Sequence, residues 1–461
     1  MATLRLGLPM LKEWLGRGRN PYLACLGLLL LATGWVYSDP ESIAGFLLLV
    51  FAASSIYWLK LNRSFQLALA VGTAVILVPI LGARNIFYLE VLFQISVFSA
   101  LALGLNIVVG FSGVLHLGYL AFYAVGAYLW GFFGSQQPYL LHSTVTTRAI
   151  DTPFLLAPGW FYLFIFLGIG AAAVVGLVLG LPVLRVRGDY LAIITLAFGE
   201  IVRQLANNLD KPWNFTNGPQ GISPVRRPGM PGAALDLFNR GFGWAVGHDI
   251  NANEAYNILF YLLALAVVVV VIIITYRLDN SKVGRAWTAI REDELSAGAM
   301  GINANKLKLG AFAVGASFAG AMGVLFAASR TFVSPETFTF LQSVGVLTMV
   351  ILGGIGSITG VIVGATVVTL LNIQVLQSFS LFLSQLRQSD AVIPILGWQW
   401  KHLSNQLDPS KYQRLIFGVV LVIMMIYRPT GLLPAARRKR ELGGEGPEAD
   451  DAEAGKGAEH V

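Results

Sequence analysis

The sequence is poor in charged residues and nearly free of cysteine. Only 12% of its 461 residues are Asp, Glu, Lys or Arg, about half the share of a typical soluble chain, whereas 56% are hydrophobic. This composition excludes an ordinary soluble globular protein. The single cysteine, Cys25, lies in an apolar run and leaves no second cysteine for an internal disulfide.

Several motifs that carry chemistry are also missing. The sequence has no GxxxxGK[ST] motif, which excludes nucleotide hydrolysis by a P-loop. It has no GxSxG, no HExxH and no paired Cys/His cluster, so we expect no catalytic residue, no metal site and no cofactor. A voltage-sensor arginine repeat and a TVGYG filter are absent as well.

The sequence does contain a series of long apolar runs. Residues 255–276 carry no charge over 22 positions, which as a helix spans a hydrocarbon core of ~30 Å. Such solid runs, without period-2 alternation, predict an all-α polytopic integral membrane protein with about 10–12 transmembrane helices. Glycine-rich stretches at 111–117 and 353–359 predict broken or re-entrant helices. The candidate spans are 22–38, 43–59, 65–82, 88–110, 116–134, 161–184, 190–207, 257–276, 309–328, 340–356, 357–376 and 413–427.

The placement of Lys and Arg predicts the orientation and the organisation of the chain. With the N-terminus in the cytoplasm, inside segments hold 20 of these residues and outside segments ten, as the positive-inside rule requires. This places both termini and residues 277–308 in the cytoplasm. The net charge of +7 therefore serves membrane orientation, and we expect no nucleic-acid partner. The predicted divisions are N-terminal transmembrane helices in 1–87, a core in 88–434 with external loops at 135–160, 208–256 and 377–412, and a disordered charged tail in 435–461.

The central charged segment, Arg277 to Lys308, lies between two apolar runs. Its middle is rich in helix formers, and a rough helical spacing places apolar residues on one side and Arg291 to Glu294 on the other. Gly301 is a plausible helix stop. We expect one short amphipathic helix over 284–300. It is either a surface helix within a positively charged cytoplasmic loop or a docking helix that takes mechanical work from a soluble partner. Its apolar side comprises Trp287, Ile290, Ala297 and Met300.

Polar and small residues at membrane depth are candidates for a pathway or for helix packing. Intramembrane polar side chains are functional suspects by default, and Glu200 and Arg203 stand three apart and can pair. Small residues permit close helix contact, and they also leave room for a solute. The polar candidates are Asn106, His116, Glu200 and Arg203. The small ones are Gly110, Gly113, Gly126, Gly320, Gly353, Gly354 and Gly356.

Two main function classes stay open on these observations. One is a secondary or passive carrier for a small apolar solute, and the other is the membrane subunit of a pump whose ATPase is a separate chain. A membrane-embedded enzyme is a third class with little support. The central cytoplasmic helix discriminates the first two, because a pump subunit needs a docking element and a simple carrier does not.

Several collinear motifs resemble one known family. They include residues 102–129, 183–203, TNGPQGI at 216–222, 284–312, 334–360 and YRPTGLLP at 427–434. These stretches are similar to the permeases of bacterial high-affinity branched-chain amino-acid ABC importers, of the LivM type. The resemblance covers roughly residues 88 to 434.

The resemblance implies an inner-membrane, multi-pass permease that imports leucine, isoleucine or valine. Implied partners are two cytoplasmic ABC ATPase subunits, a second homologous permease in a heterodimer, a periplasmic substrate-binding protein and the lipid bilayer. It further implies that the stretch 284–301 couples to the ATPases and that the 216–222 motif lies at the outer face. The corresponding residues are Gly284, Arg285, Trp287, Glu292, Asp293, Glu294, Ala297 and Gly301 for coupling, and Asn217, Gly218, Pro219 and Gly221 for the outer loop.

Overall fold

The computed structural model describes the greater part of the chain, and that part is helical apart from loops and one isolated β-bridge between Ile222 and Val333. Apolar runs form the helices, since a helix satisfies its own backbone hydrogen bonds in lipid. The described residues are 20–39, 42–59, 62–141, 154–184, 186, 189–230, 232–243, 250–376, 380–381, 384–385, 412–428 and 431–433. The helices are α1 Asn20–Ser38, α2 Ile43–Trp58, α3 Arg63–Arg84, α4 Ile86–Phe111, α5 Leu120–Phe133, α6 Trp160–Val183, α7 Asp189–Asn208, α8 Gly232–Phe238, α9 Ala252–Asp279, α10 Lys282–Glu292, α11 Glu294–Ala299, α12 Ala304–Arg330, α13 Phe340–Gly353, α14 Ile358–Leu376 and α15 Gln413–Tyr427.

Each of the twelve predicted spans is occupied by a helix, and the predicted class of polytopic all-α membrane protein is confirmed. Seven helices in the described residues are long and apolar enough to cross a membrane: α1, α3, α4, α6, α9, α12 and α14. Helices α2, α5 and α13 are apolar but shorter. Helix α7 is 20 residues long and is not among the seven, because its second half is polar.

The residues group into two compact units, Met1–Phe93 with Met230–Leu262, and Gln94–Gly229 with Leu263–Val461. In the first unit, Cys25 is buried and its Sγ lies 3.8 Å from the Ser55 hydroxyl. The rings of Phe46 and Tyr88 stack at 4.5 Å. Tyr261 donates its hydroxyl proton to the Ala74 carbonyl at 3.0 Å. Aromatic packing and paired polar groups thus hold this unit together.

The second unit is built on close contact of α5, α6 and α12. A Cβ at Gly126 would lie 2.0 Å from the Gly320 carbonyl oxygen, and one at Gly320 would lie 2.2 Å from that of Gly168. A Cβ at Gly323 would meet the Tyr123 carbonyl oxygen at 2.2 Å. The backbones approach closely because the side chains are missing at the crossing points, as in other small-residue membrane contacts. Gly126 and Gly320 are therefore placed at helix crossings.

Two helix discontinuities in the second unit confirm the expected broken segments. Helix α4 ends in a π-helical turn at Phe111, and residues 112–119 are not helical before α5 begins. We call this the first break. Helix α13 ends at Gly353, and residues 354–357, the second break, separate it from α14. The segment around Gly431 packs on the second break, with the Leu432 N–H donating to the Leu352 carbonyl.

Some sequence predictions fall on residues that lie outside the described part. These are the charged tail 435–461, most of the insertion 377–412, and residues 142–153 of the loop 135–160. The loop 208–256 is described except for residues 231 and 244–249.

Candidate functional site

The central charged segment, residues 277–308, folds as two helices, so the expected single helix over 284–300 is wrong. Asp293 ends α10 and begins α11 in an extended conformation, with φ −153° and ψ 108°. Its carboxylate accepts hydrogen bonds from the Leu295 N–H at 2.9 Å and from the N–H and hydroxyl of Ser296. These bonds, the Ser296 hydroxyl first, lower the pKa of the Asp293 carboxyl. An N-cap aspartate of this kind interrupts one helix in order to start the next.

Helix α10 is held firmly against the membrane bundle. Trp287 is fully buried, and its indole Nε1 donates to the Leu307 carbonyl, at the start of α12, at 2.7 Å. Ile290 is buried on the same side. A Cβ at Gly284 would lie 2.3 Å from the Leu278 carbonyl oxygen, so α10 also packs against the end of α9. The predicted apolar side of this helix is therefore used inside the chain.

Helix α11 presents an exposed surface that includes two large apolar side chains. Leu295 is 79% exposed and Met300 is 84% exposed, whereas Ala297 is only 5% exposed. The expected single apolar side is divided: Trp287 and Ala297 are buried, whereas Met300, the residue that follows α11, is exposed. Lys308 fixes α11 to α12 through an ion pair with Glu294 at 2.8 Å. A rigid base thus carries an exposed apolar surface.

Arg291, in the last turn of α10, connects this segment to the first break. Its Nη1 donates to the Gly110 carbonyl oxygen at 2.6 Å, in a partly buried position. Its stem lies beside Gly113, whose φ is +73° and where a Cβ would come within 2.7 Å of Arg291 Cγ. A side chain at Gly113 would be strained by its backbone and would strike the arginine.

Asn106, just before the π-helical end of α4, joins this helix to the second break. Its Oδ1 accepts the Gly356 N–H at 2.8 Å across 250 positions of sequence. A Cβ at Gly110 would lie 2.2 Å from that same Oδ1, so glycine is required there for the amide to reach the second break. A Cβ at Gly356, whose φ is +83°, would lie 3.6 Å from Arg291 Nη1. Asn106 is fully buried, and its Nδ2 has no partner among the described residues. One arginine and one asparagine therefore connect both breaks to α10.

His116 lies within the first break and serves the packing of aromatic rings. Its ring centroid is 5.2 Å from that of Phe312 and 5.3 Å from that of Phe122. It is 2% exposed, and its Nδ1 has no hydrogen-bond partner among the described residues.

Glu200 and Arg203 pair as expected, and a third charged residue joins them. Arg203 Nε lies 3.1 Å from each carboxylate oxygen of Glu200. Its Nη1 lies 3.2 Å from Oε1 of Glu336, in the single turn Pro335–Phe338 that precedes α13. No sequence pattern predicts the part of Glu336 in this cluster, because its contact with Arg203 spans 133 positions. We call Glu200, Arg203 and Glu336 the charged trio.

The outer-loop motif forms a compact turn after α7. Asn217 adopts a left-handed conformation, with φ 58°, and its side-chain amide donates to the Gly221 carbonyl at 2.8 Å. Gly218 is buried and Pro219 is exposed. Ile222 then pairs with Val333. A depression of about 320 Å³ opens beside the loop and is lined by Ser135, Gln136, Gln137, Leu140, Asn217, Gln220, Ile222 and Ser223.

The structure thus brings together Asn106, Gly110, Gly113 and Gly356, and connects them to the coupling residues through Arg291. Gly353 ends α13 and Gly354 begins the second break; a Cβ at Gly353 would meet the Gly360 carbonyl oxygen at 2.3 Å. Arg285, Glu292 and Gly301 are exposed on the coupling segment. Sequence reasoning missed Arg291 as a linking residue. Its partner Gly110 lies 181 positions away.

A family model described as branched-chain amino acid transport system / permease component matches residues 87–425. The chain is 37% identical over 353 residues to the high-affinity branched-chain amino acid transport system permease protein LivM of Salmonella typhimurium, covering 75% of this chain and 70% of the relative. Identity to LivM of Escherichia coli is 38% over the same length and coverage. The permease protein LivH of Escherichia coli is 23% identical over 338 residues, covering 73% of this chain and 91% of the relative. No solved structure gives a significant match.

Proposed function

Because the chain belongs to the family of permease components of branched-chain amino acid transport systems, we propose that it imports leucine, isoleucine and valine. In this proposal it is the transmembrane subunit of an ATP-binding-cassette importer in the cell inner membrane, and it carries out no chemical reaction itself. The alternative, a carrier for a small apolar solute without an ATPase, leaves the relatives' shared function unexplained.

The observation that carries the proposal is the joining of α10 and α11 to the two breaks. Helix α11 offers the exposed Leu295 and Met300 to a partner, and α10 reaches the breaks through Arg291. A force applied to α11 is transmitted because Trp287 and the Lys308–Glu294 pair make the base rigid. A passive carrier has no use for such a connection.

The proposal includes four partners. Two cytoplasmic ATPase subunits dock on α11 and a periplasmic binding protein delivers the amino acid to the loop around Asn217. A second homologous permease completes the pathway in a heterodimer; the similarity of this chain to permeases of two names, LivM and LivH, supports this. Both termini and residues 277–308 are cytoplasmic in this arrangement, as the Lys/Arg distribution predicts.

Co-purification tests the proposal. The tagged chain should hydrolyse no ATP alone and should acquire activity when it carries the ATPase subunits, since it lacks a P-loop. Uptake of labelled leucine by the complete complex should be competed by isoleucine and valine, and not by a sugar. Steady ATP hydrolysis by the purified chain, or dominant competition by a sugar or a polyamine, would overturn the proposal.

A further inference from the structure

Helix α7 carries a polar stripe along its second half. Glu200, Arg203, Gln204, Asn207 and Asn208 stand at positions i, i+3, i+4, i+7 and i+8, which is the spacing of one helix face. The whole helix, Asp189–Asn208, is about 30 Å long. The stripe covers its second half, from residue 200 to residue 208. Exposed apolar residues such as Ile201 and Leu205 lie beside the stripe on the same helix.

The charged trio lies on this stripe and is partly open. The exposed fractions of the side chains are 19% for Arg203, 38% for Glu200 and 70% for Glu336. Gln204 donates to Glu200 Oε1 at 3.0 Å and helps to hold this carboxylate. Arg203 is thus fixed on one side by its own helix, and on the other side it meets the exposed carboxylate of Glu336.

Lipid is a poor cover for this face, because charged and amide side chains in a membrane protein turn toward protein or water. Helix α7 also packs on the first break: the Leu117 N–H donates to the Thr195 hydroxyl at 3.1 Å. A Cβ at Gly118 would lie 2.0 Å from the Thr195 carbonyl oxygen. The stripe therefore belongs to a helix in direct contact with the first break, where Gly113 lies beside the Arg291 side chain.

We propose that the charged trio is a transit site for the zwitterionic head group of the imported α-amino acid. This rests on the proposed function, and it assigns residues to the head group. The substrate carboxylate binds Nη1 of Arg203 in place of Glu336, and the substrate ammonium binds the released Glu336 carboxylate. Glu200 stays on Nε and keeps the guanidinium in position.

The exchange conserves charge. One ion pair, Arg203–Glu336, is replaced by two, and no charge is left without a partner. The Glu336 side chain is mostly exposed, so its pair with Arg203 is weak and easily opened. The planar guanidinium suits a carboxylate. Glu336 competes with the substrate carboxylate for Arg203. The site therefore binds the amino acid weakly and releases it onward.

The competing interpretation is that the charged trio is a structural staple, a set of ion pairs that only holds α7 against the turn preceding α13. The structural staple and the transit site differ in whether they need charged side chains. A staple tolerates neutral side chains of similar size, since uncharged replacements of an ion pair often preserve stability. A zwitterion site does not.

The test uses the complete transporter in proteoliposomes, with the ATPase subunits, the second permease and leucine-loaded binding protein. The variant is the triple substitution Glu200→Gln, Arg203→Met and Glu336→Gln. Leucine uptake and ATP hydrolysis stimulated by the binding protein are measured in the same vesicles. Uptake should fall by about tenfold or more, as expected for loss of charge-assisted bonds, while stimulated hydrolysis stays within about twofold.

The control variant, Asp236→Asn with Arg240→Gln, removes the same kinds of charge at exposed positions that belong neither to α7 nor to the turn Pro335–Phe338, and it should transport normally. If the triple variant does not assemble, the single change Glu336→Gln decides, since this residue is mostly exposed. It should lower leucine uptake per ATP hydrolysed. Normal uptake per ATP in either variant overturns the transit site, as does an equal loss of uptake and hydrolysis. A wild-type complex that imports no leucine overturns the proposed function instead.

Discussion

Replacing Arg291 by methionine should uncouple ATP hydrolysis from transport. The change removes the guanidinium that binds the Gly110 carbonyl oxygen at 2.6 Å and keeps an unbranched apolar stem beside Gly113. A hydrogen bond from a charged donor contributes about 1.5–3 kcal/mol net, and each 1.4 kcal/mol is about tenfold in an equilibrium. The connected state of α10 and the first break should therefore lose about ten- to a hundredfold in population.

The assay measures leucine taken up per ATP hydrolysed in reconstituted complexes. Docking should be intact, since Leu295 and Met300 are unchanged, so the ATPase subunits should still co-purify. Lys282→Met is the matched control: Lys282 lies on the same helix, is exposed and also carries a positive charge. Equal coupling in the Arg291 and Lys282 variants would refute the reasoning, and so would loss of the ATPase subunits from the Arg291 variant alone.

Three further predictions concern the exposed part of the coupling segment. Changing Leu295 and Met300 together to serine should weaken ATPase co-purification by about tenfold or more, because burying each side chain in a partner contributes ~1.5–3 kcal/mol of binding free energy. Unchanged recovery of the ATPase subunits would exclude these two side chains as the docking surface. Gly301→Val should reduce uptake, since φ is +82° and a β-branched residue is strained there, whereas Gly298→Ala, with open space around its Cβ, should transport normally; equal activity of the two would contradict the assignment. In a Cys-free background, an impermeant thiol reagent should label Gln220→Cys in intact spheroplasts and Met300→Cys only after permeabilisation, and the reverse pattern would invert the proposed orientation.

The helices of this chain are predictable from sequence because the signal is local. An uncharged run such as residues 255–276 has no other stable form in a bilayer, and α9 occupies it. The breaks are predictable for a similar reason, since Gly113 and Gly356 need positive φ values that end a helix. Glu200 and Arg203 stand one turn apart, and their pair follows from helix geometry alone.

The division of the coupling segment at Asp293 is a local feature that the hydrophobic pattern hides. Periodicity across 284–300 assumes one helix phase, and this places Met300 with Trp287. The capping signal was present, because Asp293 precedes Leu295 and Ser296 and can accept both of their N–H groups. The N-cap signal at Asp293, taken before the hydrophobic pattern, predicts two helices and removes the reason to place Met300 with Trp287.

The contacts that join α10 to the two breaks are long-range, and local residue spacing does not predict them. Arg291 meets Gly110 and Asn106 meets Gly356 because α4, α10 and α13 converge on one side of the second unit. Gly110 is the shared point: it accepts from the arginine, and its missing side chain leaves room for the asparagine. A shift of Arg291 would therefore act directly on the Gly110 backbone, which lies against the Asn106 Oδ1 that binds the second break. One displacement of α10 thus reaches both breaks, and an importer needs both to move if a single docking event is to change access to the pathway.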